Sequence, residues 1–145
     1  MAFVWRKVRS GDLVESAILV RVPVPIPDSG QTGLPADSTG VKWSSSYKLK
    51  IKKQNLKNVI VRATWTSAYS DNIVRIGLYD EGTASYVAYV EGNAGTDVES
   101  TNYTEANLTD EGAVYVRAEV TAASATGGAT FDISYVVVEL VYGAG

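Results

Sequence analysis

The chain has no cysteine and no histidine among its 145 residues, and only one methionine. Without cysteine there is no disulfide, no thiolate nucleophile and no thiolate-bound metal. Without histidine, a Ser-His-Asp triad and imidazole ligation are excluded, and acid–base chemistry would fall to carboxylates, lysine or tyrosine. The shortage of easily oxidised side chains is compatible with a hot or exposed setting. Long apolar runs are missing as well: none approaches the roughly 18 residues of a membrane-spanning helix. The opening residues, Met1-Ala2-Phe3-Val4-Trp5-Arg6-Lys7, hold no apolar core followed by a small-residue cleavage site, so no secretion signal is expected. The sequons at Asn102 and Asn107 then read as chance matches in a Thr-rich stretch.

Cations are scarce in most of the chain. Residues 1–62 carry eleven of the thirteen Lys and Arg and four of the sixteen acids, a net +7. Residues 63–145 carry only Arg75 and Arg117 against twelve acids, a net −10. A chain divided in this way suggests a molecule that meets copies of itself, basic surface to acidic surface; the alternative is a single domain in which the charges interleave.

What is abundant is period-2 alternation. Val41, Trp43, Ser45, Tyr47, Leu49 and Ile51 alternate with Lys42, Ser44, Ser46, Lys48, Lys50 and Lys52, the pattern of a half-buried strand with an outward lysine row. Further inward faces are expected at Val59–Trp65, Val74–Leu78, Tyr86–Val90 and Val114–Val120. In Phe131–Tyr142 the phase changes near Tyr135, which suggests a β-bulge or burial on both faces. Turn chemistry separates these runs every eight to twelve residues. The 3.6-residue period is not sustained; one helical turn within Thr104–Leu108 is the best candidate. The expected fold class is all-β: a single antiparallel β-sandwich of seven to nine strands, Greek-key or jelly-roll, with an extended N-terminal arm.

Proline is confined to positions 23–35, and it defines the arm. Residues 1–27 read as that arm, 28–40 as a Gly/Pro/Ser-rich loop, and 41–145 as the sandwich body. Within the arm, Ile18, Val20, Val22, Val24 and Ile26 alternate with Leu19, Arg21 and the prolines 23, 25 and 27. Alternate N–H groups of a strand point to the same edge, so these prolines remove donors from one edge only. Such a segment pairs on one side and blocks the other. It fits a protected edge strand of its own domain or a strand donated to a neighbour.

The candidate interface residues are therefore Trp5, Ile18, Val20, Val22, Val24 and Ile26, with Lys42, Lys48, Lys50 and Lys52 as a basic row for an acidic neighbour. Trp5 is the candidate intersubunit anchor. Outward aromatics do not interleave with the lysines, and net charge is −3, which argues against nucleic acid. The turns Asp80-Glu81-Gly82 and Asp110-Glu111-Gly112, with Asp97 and Glu99, are candidate calcium ligands without EF-hand spacing. No phosphate-binding glycine loop is present and no carboxylate pair stands out. No catalytic, cofactor-binding or metal residue is assigned, and the chain is expected to be non-enzymatic.

The chain resembles small Val/Thr/Tyr/Gly-rich all-β structural proteins of virions and surface filaments, especially capsid, decoration and fibre proteins of viruses from hot habitats. The stretch Trp5-Arg6-Lys7-Val8-Arg9-Ser10-Gly11-Asp12-Leu13-Val14-Glu15-Ser16-Ala17 resembles the leader of phage tail and fibre proteins, although here it runs into the Val-Pro strand. The resemblance implies a virion component that assembles with copies of itself and with other virion proteins. A donor-strand filament subunit at the cell surface and a glycan-binding module with an exposed aromatic row are the alternatives.

Overall fold

A computed structural model describes residues 19–144. They form ten strands: β1 (Leu19–Pro25), β2 (Gln31–Pro35), β3 (Gly40–Ser44), β4 (Leu49–Lys50), β5 (Leu56–Ser67), β6 (Ile73–Asp80), β7 (Ser85–Gly92), β8 (Gly95–Glu99), β9 (Ala113–Ala122) and β10 (Thr130–Gly143). Among the described residues the helical content is one 3-10 turn at Glu105–Asn107, inside the Thr104–Leu108 window expected from sequence.

The strands make two antiparallel sheets. The first runs β1-β10-β5-β8, with β2 also on β10; the second runs β3-β9-β6-β7, with β4 also on β9. The pairings nest like a long hairpin. β2 pairs β10, β3 pairs β9, β5 pairs β8 and β6 pairs β7, and successive pairs fall in alternate sheets. The ladders β10–β5 and β9–β6 then close each sheet.

One hydrophobic core lies between the sheets. Val59, Val61, Ala63 and Trp65 of β5 meet Val74, Ile76 and Leu78 of β6 and Val114, Val116, Ala118 and Val120 of β9. These are the inward faces expected from alternation, and each buried aliphatic contributes about 1.5–3 kcal/mol. The buried Trp65 satisfies its indole N–H on the Gly92 carbonyl at 3.2 Å. In β10 the register slips between Ile133 and Tyr135, which turns Phe131 and Ile133 and then Val136, Val138 and Leu140 toward the same core. That is the bulge the phase change suggested.

Two segments depart from the sequence reading. The expected strand over 41–52 breaks after Ser44, leaving only the two-residue β4 beyond it. Asp28 causes the break: its carboxylate accepts from the Ser45 hydroxyl at 2.8 Å and from the Ser46 N–H at 3.0 Å, pulling the Ser44-Ser45-Ser46 run into a bend. Tyr47, beyond the break, is exposed, and Val41 is exposed because the register slips between Val41 and Trp43 and sets it opposite Glu119, while Trp43, Ser45, Leu49 and Ile51 keep to the inside. The expected loop at 28–40 carries β2, which pairs with β10 through Leu34 and Pro35.

Candidate interaction surfaces

The arm strand pairs within its own chain. β1 lies antiparallel to β10, with Val22 opposite Leu140 and Val24 opposite Val138. The Ile26 N–H donates to the Val136 carbonyl at 3.1 Å, which sets the parity of the ladder. Val22 and Val24 therefore offer their N–H groups to β10, and the prolines at 23 and 25 face the free edge. The turn that follows is tied down at several points. The Ser29 hydroxyl donates to the Ile26 carbonyl at 2.7 Å and accepts the Val136 N–H at 2.9 Å.

Of the expected interface residues, Val24 and Ile26 pack against the chain's own core. Val20 and Val22 remain 54% and 41% exposed, beside Leu19 at 55%. Trp5 and Ile18 lie outside the described residues. The β1 side of β10, which a donated strand would occupy, is filled by β1 of the same chain.

The expected lysine row does not form, because the strand that would align it is broken. Lys42 turns back to the Ser38 hydroxyl at 2.7 Å. Lys48 pairs with Glu81 at 2.8 Å, which raises its ammonium pKa. Lys50 and Lys52 stay exposed. The neighbouring Lys53 donates to the carbonyls of Glu105 and Leu108 at 3.1 and 2.9 Å.

The acidic turns are equally occupied. The buried Asp80 carboxylate accepts from the N–H groups of Gly82, Thr83 and Thr109 and from the Thr109 hydroxyl, all within 3.1 Å. It clasps two turns together. Asp110 accepts the Lys53 N–H at 2.7 Å.

Charges interleave inside the fold. Five of the seven ion pairs among the described residues join a cation before residue 63 to an acid after it: Arg21 to Glu99 and Glu139, Arg62 to Asp97 and Glu139, and Lys48 to Glu81. Among the described residues, the split along the sequence is therefore bridged within one chain.

The most organised surface is the outer face of the second sheet. Tyr115, Tyr79 and Tyr86 lie side by side across β9, β6 and β7, followed by Arg117, Gly77 and Tyr89, and then by Glu119, Arg75 and Glu91. The Arg117 guanidinium sits 3.5 Å from the Tyr79 ring centre, and that of Arg75 sits 4.1 Å from Tyr89. The two cations of the acidic section are thus both stacked on tyrosines of one face. Neighbouring rings meet edge-on or tilted, with Tyr79 and Tyr86 5.4 Å apart at 77°. The Tyr86 hydroxyl donates to Glu119 at 2.9 Å and accepts from Arg117 Nε at 3.0 Å. Burial pushes the Tyr86 phenol well above its ordinary range; Arg117 opposes the shift and Glu119 supports it. Arg75 Nε donates to Glu91 at 2.8 Å.

Sequence reasoning placed Tyr115, Arg117 and Glu119 outward, but their meeting with β6 and β7 depends on strand order, which alternation does not encode. A scan against protein-family models finds no match, and a search of the curated proteins finds none. The chemistry of these surfaces rests on their own geometry.

Proposed function

We propose that the protein is a non-enzymatic structural subunit that assembles with copies of itself, as a coat, decoration or fibre component of a virion. The observation that carries this reading is the apolar end of β1. Val20 and Val22 are exposed on one face of the strand and Leu19 on the other, at the end that continues in sequence toward Trp5. Exposed aliphatics at one end of an edge strand suit a contact between subunits better than a solvated edge. The nested strand pairing supports reading the two sheets as a jelly-roll sandwich, an architecture of capsid and lectin domains.

Electron microscopy of the purified protein is the direct test. Regular shells, sheets or fibres are expected; dispersed monomers at every concentration would sink the reading. Removing residues 1–18 leaves every described strand in place and should weaken assembly, and light scattering that does not change would remove the arm from the mechanism.

A second reading rests on the tyrosine face: a sheet surface with four tyrosines flanked by Arg and Glu suits a glycan, which stacks on rings and hydrogen-bonds to charged groups. Against it, the guanidinium groups of Arg75 and Arg117 already cover ring faces. Titration with oligosaccharides, comparing the parent chain with Tyr89→Ala, separates the two readings: saturable binding lost in the variant favours the glycan.

A further inference from the structure

The two Asn-X-Thr stretches, Asn102-Tyr103-Thr104 and Asn107-Leu108-Thr109, are equivalent in sequence and unlike in the fold. Both lie in the connection from β8 to β9, which runs along the edge of β7. The Thr104 N–H donates to the Val87 carbonyl at 2.9 Å, and the Tyr89 N–H donates to Asn102 Oδ1 at 2.9 Å.

The bond from Tyr89 fixes which way the Asn102 carboxamide points. A backbone N–H meets the oxygen and not the nitrogen of an amide, so Asn102 Nδ2 is turned away from β7. Among the described residues this nitrogen makes no hydrogen bond. Tyr103 packs against the core between two exposed neighbours, Asn102 and Thr104. That alternation is the pattern of an extended segment, and it sets the asparagine and the threonine on the outward side together.

Asn107 is held the other way. It ends the 3-10 turn, and its Nδ2 donates to the Tyr86 carbonyl at 3.0 Å. Leu108 beside it is buried. Thr109 gives its N–H and its hydroxyl to the buried Asp80 carboxylate at 2.7 and 3.1 Å. A transferase that engaged this site would have to break the clasp between two turns.

We propose that the fold presents Asn102, and not Asn107, as an N-glycan acceptor. The sugar must stand in solvent, which the outward nitrogen of Asn102 allows. The donor is a glycan linked to a lipid diphosphate. A bond forms from Asn102 Nδ2 to the anomeric carbon of the sugar, and one Nδ2 proton passes to a base of the transferase. The lipid diphosphate leaves with the electron pair of the anomeric C–O bond. The product amide keeps its carbonyl oxygen, so the bond from Tyr89 survives. The glycan then stands at the edge of β7 and keeps further strands from pairing there. The site does not depend on the assembly reading, since a monomer or a subunit can carry it.

The test offers the folded, full-length chain to an oligosaccharyltransferase that requires only Asn-X-Thr, with its lipid-linked donor. Cleavage after glutamate separates the sites, because Glu99, Glu105 and Glu111 bound peptides 100–105 and 106–111. Mass spectrometry should find the glycan on the first peptide and not on the second. Asn102→Gln should abolish the product and Asn107→Gln should retain it. A synthetic peptide of residues 98–112, which carries both sites without the fold, should be modified at both. An unmodified folded chain, or one modified at Asn107, would overturn the proposal. A synthetic peptide modified at Asn102 alone would do so too, because local sequence rather than the fold would then make the choice.

Discussion

Gly77 sits under the tyrosine face because nothing larger fits. A Cβ there would lie 2.5 Å from the Ala88 carbonyl oxygen and the Tyr89 Cβ, and 2.8 Å from Tyr86 Cδ1. Two of these atoms belong to backbone or to a side-chain root and do not swing aside. Gly77→Ala is expected to cost about 1–3 kcal/mol by overpacking, read as a lower urea midpoint with unchanged slope; a parental midpoint would mean that the rings move aside freely. Asp28 sets an acid limit at the same scale. Burial pushes its carboxyl up, but the Ser46 N–H and the Ser45 hydroxyl outweigh that and hold it below the ordinary value. Its folded form therefore binds a proton less readily than the unfolded chain does. The stability it contributes is present above the ordinary carboxylate range and is lost as pH falls through the depressed value. Asp28→Asn should lower stability near neutrality and flatten the fall below about pH 4, measured as urea midpoint against pH; a parallel curve would exclude Asp28 as a source of the acid limb.

At the scale of the element, β1 is an edge strand with its donors removed from the outside. Replacing Pro23 and Pro25 with valine restores two N–H groups to that free edge. Edge-to-edge association should rise, seen as increased light scattering with far-ultraviolet dichroism retained; scattering no higher than the parent would mean that something else guards the edge. The strands that sequence made legible include β5, β6, β7, β9 and β10, because apolar residues recur on the face that each buries and burial of one face imposes period 2 directly. β2 was hidden because Gln31-Thr32-Gly33-Leu34-Pro35 reads as turn chemistry, and only the β10 ladder makes it a strand. β8 was hidden because Thr96, Asp97, Val98 and Glu99 are all exposed and leave no apolar rhythm. The break after Ser44 depends on Asp28, a contact across 17 residues that no local pattern reports. The tyrosine face escaped for a related reason: each outward residue alone looks like solvated surface, and only the order of the strands brings them together.

Across the whole molecule, the charge division of the sequence folds back on itself. Since most ion pairs among the described residues cross the division within one chain, long-range attraction between copies has little charge separation to draw on. Self-association measured by stopped-flow light scattering should change by less than about threefold between low and high salt, because apolar contact is not screened; a steep fall with salt would restore electrostatics to the mechanism. The nested pairing also constrains how the protein is made. β1, β2 and β5 all wait for β10, which occupies Thr130–Gly143. A ribosome delivers the chain from the other end. While β10 is still in the exit tunnel, the first sheet lacks its central partner, and the aliphatic row of β5 is incompletely covered. Folding of the first sheet therefore waits until β10 has emerged, and what the cell must protect until then is every strand that precedes it.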